Sequence, residues 1–150
     1  MRVLKKIAIM LVIVLIGIQF VPTTYNTSDN VSETDFVNIF NVPHDIKNLL
    51  KTSCYDCHSN NTHYPWYSKI QPGAWIMEGH INDGKKELNF STFGDYSGRR
   101  KKSKLKSIIS QIRDDEMPIS SYTFIPRNAN LSEKDKFMLD KWLNNLRDNL

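Results

Sequence analysis

Both cysteines of the 150-residue chain fall within five residues, Cys54-Tyr55-Asp56-Cys57-His58. On one helical turn, thiols three positions apart reach the same side, and the imidazole follows directly. This is the pattern of c-type haem attachment: Cys54 and Cys57 would bond the two vinyl groups of one haem, and His58 would give the iron its fifth ligand. Three other chemistries compete for the same atoms. A thioredoxin-like Cys-x-x-Cys belongs to a βαβ setting that this sequence does not show. A disulfide between the pair would close only a tiny loop and stabilise little. Zinc would need Cys2His2, completed by His58 and His63. The full five-residue match favours haem.

The elements that must position this motif are helical. A first helix is predicted from Pro43 to about Ser53, with Ile46, Leu49, Leu50 and Ser53 on one face, running straight into the cysteines. A second begins near Gln71-Pro72 and ends around Asp83-Gly84, with Trp75, Ile76, Gly79 and Ile81 as packing candidates. A third carries the stripe Leu105, Ile108, Ile109 and Ile112, while Arg99, Arg100, Lys101, Lys102, Lys104 and Lys106 crowd its first half. Met117-Pro118 and Pro126 then interrupt helicity. The last helix begins at Ser132, with Asp135 as a capping-box partner, and carries Met138, Leu139, Trp142, Leu143 and Leu146. No strand alternation or internal repeat is evident.

Several separated blocks resemble the bacterial haem-binding-domain family of CxxCH proteins. They are the motif with Ser59-Asn60, Tyr64-Pro65-Trp66-Tyr67, Gly84-Lys85-Lys86-Glu87-Leu88-Asn89-Phe90-Ser91, Glu116-Met117-Pro118 with Tyr122, and the C-terminal helix ending in Trp142. The likeness covers roughly residues 42 to 148. It implies a cytochrome c-like helical fold and haem binding, and no particular physiological partner.

Met117 is the first candidate for the sixth iron ligand, because it sits in a proline-containing loop between the third and last helices, where cytochrome c-like proteins usually place a distal methionine. Its bland reading is core packing. His80 is the rival, Met77 a weaker one, and an open distal position is the remaining alternative. His63 reads as solvated and His44 as part of its helix's first turn. Trp66, Trp75, Tyr64, Tyr67, Tyr122 and Phe124 are candidates for the haem edge. The carbonyl of Pro65 or Pro72 could accept the Nδ1 proton of His58. Arg127 or a lysine of the third helix could pair with a haem propionate. The basic run from Arg99 to Lys106 reads as a solvated face or as a docking patch for an acidic redox partner. Asp114, Asp115 and Glu116 sit at a helix end where negative charge is unfavourable, with no evident purpose.

The formal charge of +4 is concentrated at the start: without Arg2, Lys5 and Lys6, 17 basic residues face 16 acidic ones. Nothing in that balance supports nucleic-acid binding. The positive start and the apolar run Ile7–Ile18 have the form of an export signal or a membrane anchor. No Ser-His-Asp set, phosphate loop or carboxylate pair stands out. The sequence therefore reads as an all-α chain: a signal or anchor over 1–21, a flexible linker over 22–41, and a cytochrome c-like haem domain over 42–150. The expected function is a periplasmic or otherwise extracytoplasmic monohaem c-type cytochrome, with one covalent haem c held by Cys54, Cys57, His58 and Met117. It would carry electrons for an unidentified redox partner rather than act as an enzyme, possible membrane attachment being through residues 3–21. The alternative is a haem-based ligand or redox sensor, or a peroxidase-associated module, with an open distal site.

Overall fold

Apolar side chains at helical spacing can bury themselves only by pairing helices, and that is how the chain folds. The computed structural model describes residues 2–28, 30–123 and 129–150, and among these it is all-helical, without strands. Phe124, Pro126 and Arg127 lie outside the described residues. In chain order the helices are α1 (Arg2–Gly17), α2 (Phe36–Ile39), α3 (His44–Ser53), α4 (Tyr55–His58), α5 (Gly73–Glu87), α6 (Gly98–Arg113), α7 (Ser120–Thr123) and α8 (Glu133–Asp148). Short 3-10 segments at Ile18–Phe20, Trp66–Lys69 and Phe90–Asp95, the last kinked at Thr92, link them.

The stripe on α6 meets α8. Leu105, Leu139 and Leu143 are fully buried, with Ile109 and Ile112 nearly so, each worth about 1.5–3 kcal/mol of apolar burial. Ser132 caps α8 and completes the box with Asp135. Arg113, at the end of α6, grips Asp140 on α8 through two nitrogens, at 2.5 and 3.0 Å. The end of α6 therefore lies beside the first half of α8.

Residues 22–41 differ from the linker expected of them. Phe36 is fully buried, with the rings of Phe40, Phe90, Phe93 and Trp142 edge-on around it at 4.9–6.0 Å. Asp35 caps α2 by accepting from the Val37 amide at 3.0 Å, and the same oxygen accepts the Tyr55 hydroxyl at 2.7 Å. Asn26 donates to the Ser59 carbonyl and to Thr62 Oγ1, and accepts from Lys85 Nζ at 2.6 Å. The Asn, Ser, Thr and Asp residues that give this stretch the look of a spacer instead satisfy backbone groups of the loops they cross.

The N-terminal helix is different in kind. From Arg2 to Phe20 it is long and apolar enough to cross a membrane, and none of it is buried against the rest of the chain.

Candidate functional site

Cys54 closes α3, its amide bonding the Leu50 carbonyl at 2.9 Å, and its backbone then breaks from helical geometry before α4 begins. That break turns the motif toward α5. His58 Nδ1 lies 2.9 Å from the Gly84 carbonyl and 3.1 Å from the Leu88 carbonyl. A carbonyl can only accept, so Nδ1 carries the proton and donates to both, which leaves Nε2 as the lone-pair nitrogen. Burial pushes the imidazole pKa below its usual value, and the two carbonyls oppose this only in part. Burial thus favours the neutral imidazole, the form that binds a metal, and the carbonyls decide which nitrogen keeps its proton.

The expected acceptors, Pro65 and Pro72, are not the ones used. The Leu88 carbonyl lies just beyond the helix, where carbonyls are short of amide partners, while the Gly84 carbonyl is shared, since it also accepts the Leu88 amide at 2.8 Å. His58 donates to both at the end of α5. The approach is close: a Cβ on Gly84 would come within 2.7 Å of the Cys57 carbonyl oxygen, so glycine is what lets α5 lie against the motif.

Beside His58 opens a cavity of about 210 Å³ whose lining includes Cys54, His58, Phe90, Ile108, Ile112 and Met117. Cys54 and Met117, 63 positions apart in sequence, thus face one space with His58 between α3–α4 and the α6 stripe. The two cysteines are thiols rather than a disulfide, and burial, then the neighbouring Cys57, pushes the Cys54 thiol up to about 12. Ser53 also lines the cavity, and its buried hydroxyl has no hydrogen-bond partner among the described residues. Lys104 and Gln111 bring polar groups to the same walls.

The acidic residues after α6 acquire a purpose here. Asp114 accepts from Ser110 Oγ at 2.9 Å, Glu116 accepts from Gln111 Nε2 at 2.6 Å, and Asp115, in left-handed backbone geometry at φ 57°, pairs with Lys136 of α8. The amides of Glu116 and Met117 both bond the Gln111 carbonyl. Together these contacts fix the turn that delivers Met117.

Other candidates lie elsewhere. Met77 is buried with Ile81, Tyr122 and Ala129, away from the cavity lining, and His80 is half-exposed on α5. His44 and His63 are exposed. Among the expected haem-edge aromatics, Trp66 is 73% exposed and Trp75 39%. Tyr64 accepts the Asn26 amide, and Tyr122 donates to the carboxylate of Asp56. Among the described residues the aromatic side chain lining the cavity is Phe90, whose ring stacks on Tyr55 at 4.9 Å. Sequence reasoning missed Phe90 and Leu88 as wall residues, although both lie in a block that carried the family resemblance. Those blocks meet in space: the Asn60 amide bonds Ser91 Oγ, and Asn89 donates to Asn60 Oδ1.

The donor set fits haem: the Cys54 thiol, a neutral imidazole aimed by its protonated nitrogen and the Met117 thioether share one cavity with largely apolar walls, and the Cys57 thiol, outside that lining, follows three residues after Cys54. Among the described residues no three His, Cys, Asp or Glu side chains come together as metal ligands, which leaves the zinc reading without its ligands. An all-helical chain with a CxxCH turn opening on an apolar cavity defines a haem protein by class. The sequence matches the haem-binding-domain family over residues 13–145, and the chain belongs to that family. No curated protein and no solved structure matches it.

Proposed function

We propose that this protein is a monohaem c-type cytochrome that carries electrons on the outer side of the cytoplasmic membrane. The observation that supports this reading best is the shared cavity of Cys54, His58 and Met117. Cys54 and Cys57 would hold the haem through thioethers, His58 would ligate through Nε2, and Met117 would supply the second ligand. A haem so held supplies one-electron chemistry between the ferric and ferrous states.

The protein's own part is to limit change. The Gly84 and Leu88 carbonyls fix the ring of His58, and the Gln111 carbonyl and Asp115–Lys136 pair fix the turn of Met117. Side chains held this way would move little with a change of charge beside them, which suits electron transfer with little rearrangement. Apolar walls disfavour the more positive oxidised state and so favour a higher potential. No substrate site is required. Arg2, Lys5 and Lys6 before the apolar run fit a start retained on the cytoplasmic side, and α1 then serves as the anchor.

The test is expression with a c-type maturation system, extraction with acidified acetone, and oxidised and reduced spectra. Haem retained through extraction, with a methionine-to-iron charge-transfer band, is the expected result. Retained haem without that band would refute Met117 ligation, and loss of all haem would return Cys54 and Cys57 to thiol chemistry.

A further inference from the structure

Four large apolar side chains stand exposed within eleven residues: Trp66 at 73%, Ile70 at 50%, Trp75 at 39% and Ile76 at 56%. They flank the place where the N-terminal helix touches the folded body. Gln19 Nε2 donates to the Gln71 carbonyl at 3.2 Å, and Gln19 Oε1 accepts from the Gln71 amide at 3.0 Å. The Gln71 side chain in turn accepts from the Trp75 amide at 3.2 Å. Gln71 is therefore held within one side chain's length of the end of the apolar helix, with Ile70 before it and Trp75 after it.

We propose that this face, Trp66, Ile70, Trp75 and Ile76 with Phe20 and Val21, is a membrane-contacting surface that seats the haem domain in the headgroup layer. The inference rests on α1 being a retained anchor. The layer between hydrocarbon and water is about 5–8 Å thick on each side of a bilayer, so residues held level with Gln19 cannot clear it. Tryptophan is favoured at that depth because its ring is apolar and its N–H polar. The length of the helix points the same way. Its stretch without charge, residues 7–20, rises only about 21 Å at 1.5 Å per residue, against about 30 Å of hydrocarbon. A short span draws its flanks toward the bilayer. Phe20 is 83% exposed and continues the patch, and the exposed Lys69 suits anionic headgroups. Gly79 lies one turn beyond Trp75 and Ile76, and a Cβ placed on it would meet nothing within 4 Å, so the helix is open at that point too.

The full-length holoprotein is placed in phospholipid nanodiscs containing a phosphatidylcholine with a diazirine near the glycerol end of its acyl chain, then irradiated and digested with trypsin. Adducts are expected on the anchor peptide and also on the peptide 70–85, at Ile70, Trp75 and Ile76. The triple variant Ile70→Gln, Trp75→Gln, Ile76→Gln is expected to lose the second set and keep both the first and its haem spectrum, since none of the three lines the cavity. Adducts confined to the anchor peptide would overturn the proposal and leave the anchor standing, freeing this face for a protein partner. No adducts on the anchor peptide would overturn the anchor reading, and this proposal with it.

Discussion

Tyr122→Phe tests whether the turn carrying Met117 is tied to the haem motif. Tyr122 lies on α7, five residues after Met117, and its hydroxyl donates to Asp56 Oδ2 at 2.6 Å. Asp56, between the two cysteines, is 9% exposed, and its other oxygen accepts the His63 amide at 2.9 Å. A hydrogen bond to a buried carboxylate contributes about 1.5–3 kcal/mol. The phenyl ring keeps the packing against Met77, Ile81 and Ala129, so no cavity adds to the loss. At about 2–4 °C per kcal/mol for a chain of this size, Tm is expected to fall by about 3–12 °C. Urea unfolding of the holoprotein measures the stability, and carbon monoxide binding to the reduced form reports the grip on Met117, which is expected to loosen. In a double-mutant cycle with Asp56→Asn, coupling of at least about 1 kcal/mol is expected. A loss under about 0.5 kcal/mol, the range of ordinary surface substitutions, would refute the reasoning.

Met117→Ala is expected to convert a low-spin spectrum to high-spin or to lower the potential, whereas His80→Ala leaves both unchanged; the reverse pattern would move the sixth ligand to α5. Gly84→Ala drives a Cβ into the Cys57 carbonyl and is expected to cost about 1–3 kcal/mol in chemical unfolding, while Gly79→Ala, with open space around it, is expected to stabilise by about 0.5–1 kcal/mol. In the haem-free protein, Cys54 deprotonates only near 12, against 9.0 when unfolded. The unfolded chain therefore gives up its proton first, and stability is expected to fall as pH rises from 9 toward 12, more steeply than in Cys54→Ser.

The long helices are legible in the sequence because their signals are local. Ser132 and Asp135, the α6 stripe and the run from Pro43 into the cysteines each lie within one element, and each forms where the pattern places it. The motif is legible for the same reason. What escapes depends on atoms without identity in a sequence: the acceptors of His58 are backbone carbonyls, which any residue offers, and only the close approach at Gly84 marks their position. Residues 22–41 mislead because composition counts apolar side chains and misses polar ones with assigned partners, as Asn26 shows. The aromatic residues draw attention by size, yet Trp66 and Trp75 face outward and the wall residue is Phe90.

Asn26 limits how far the haem domain can move from the N-terminal helix. A free tether over residues 22–41 would let the domain roam over about 25 Å, by the end-to-end distance of a flexible chain. With Asn26 bound to Ser59, Thr62 and Lys85, that tether is shortened to the few residues after the N-terminal helix. On the proposed reading of an anchored electron carrier, the domain would then be a fixed station of preset orientation, and the partner would be what diffuses.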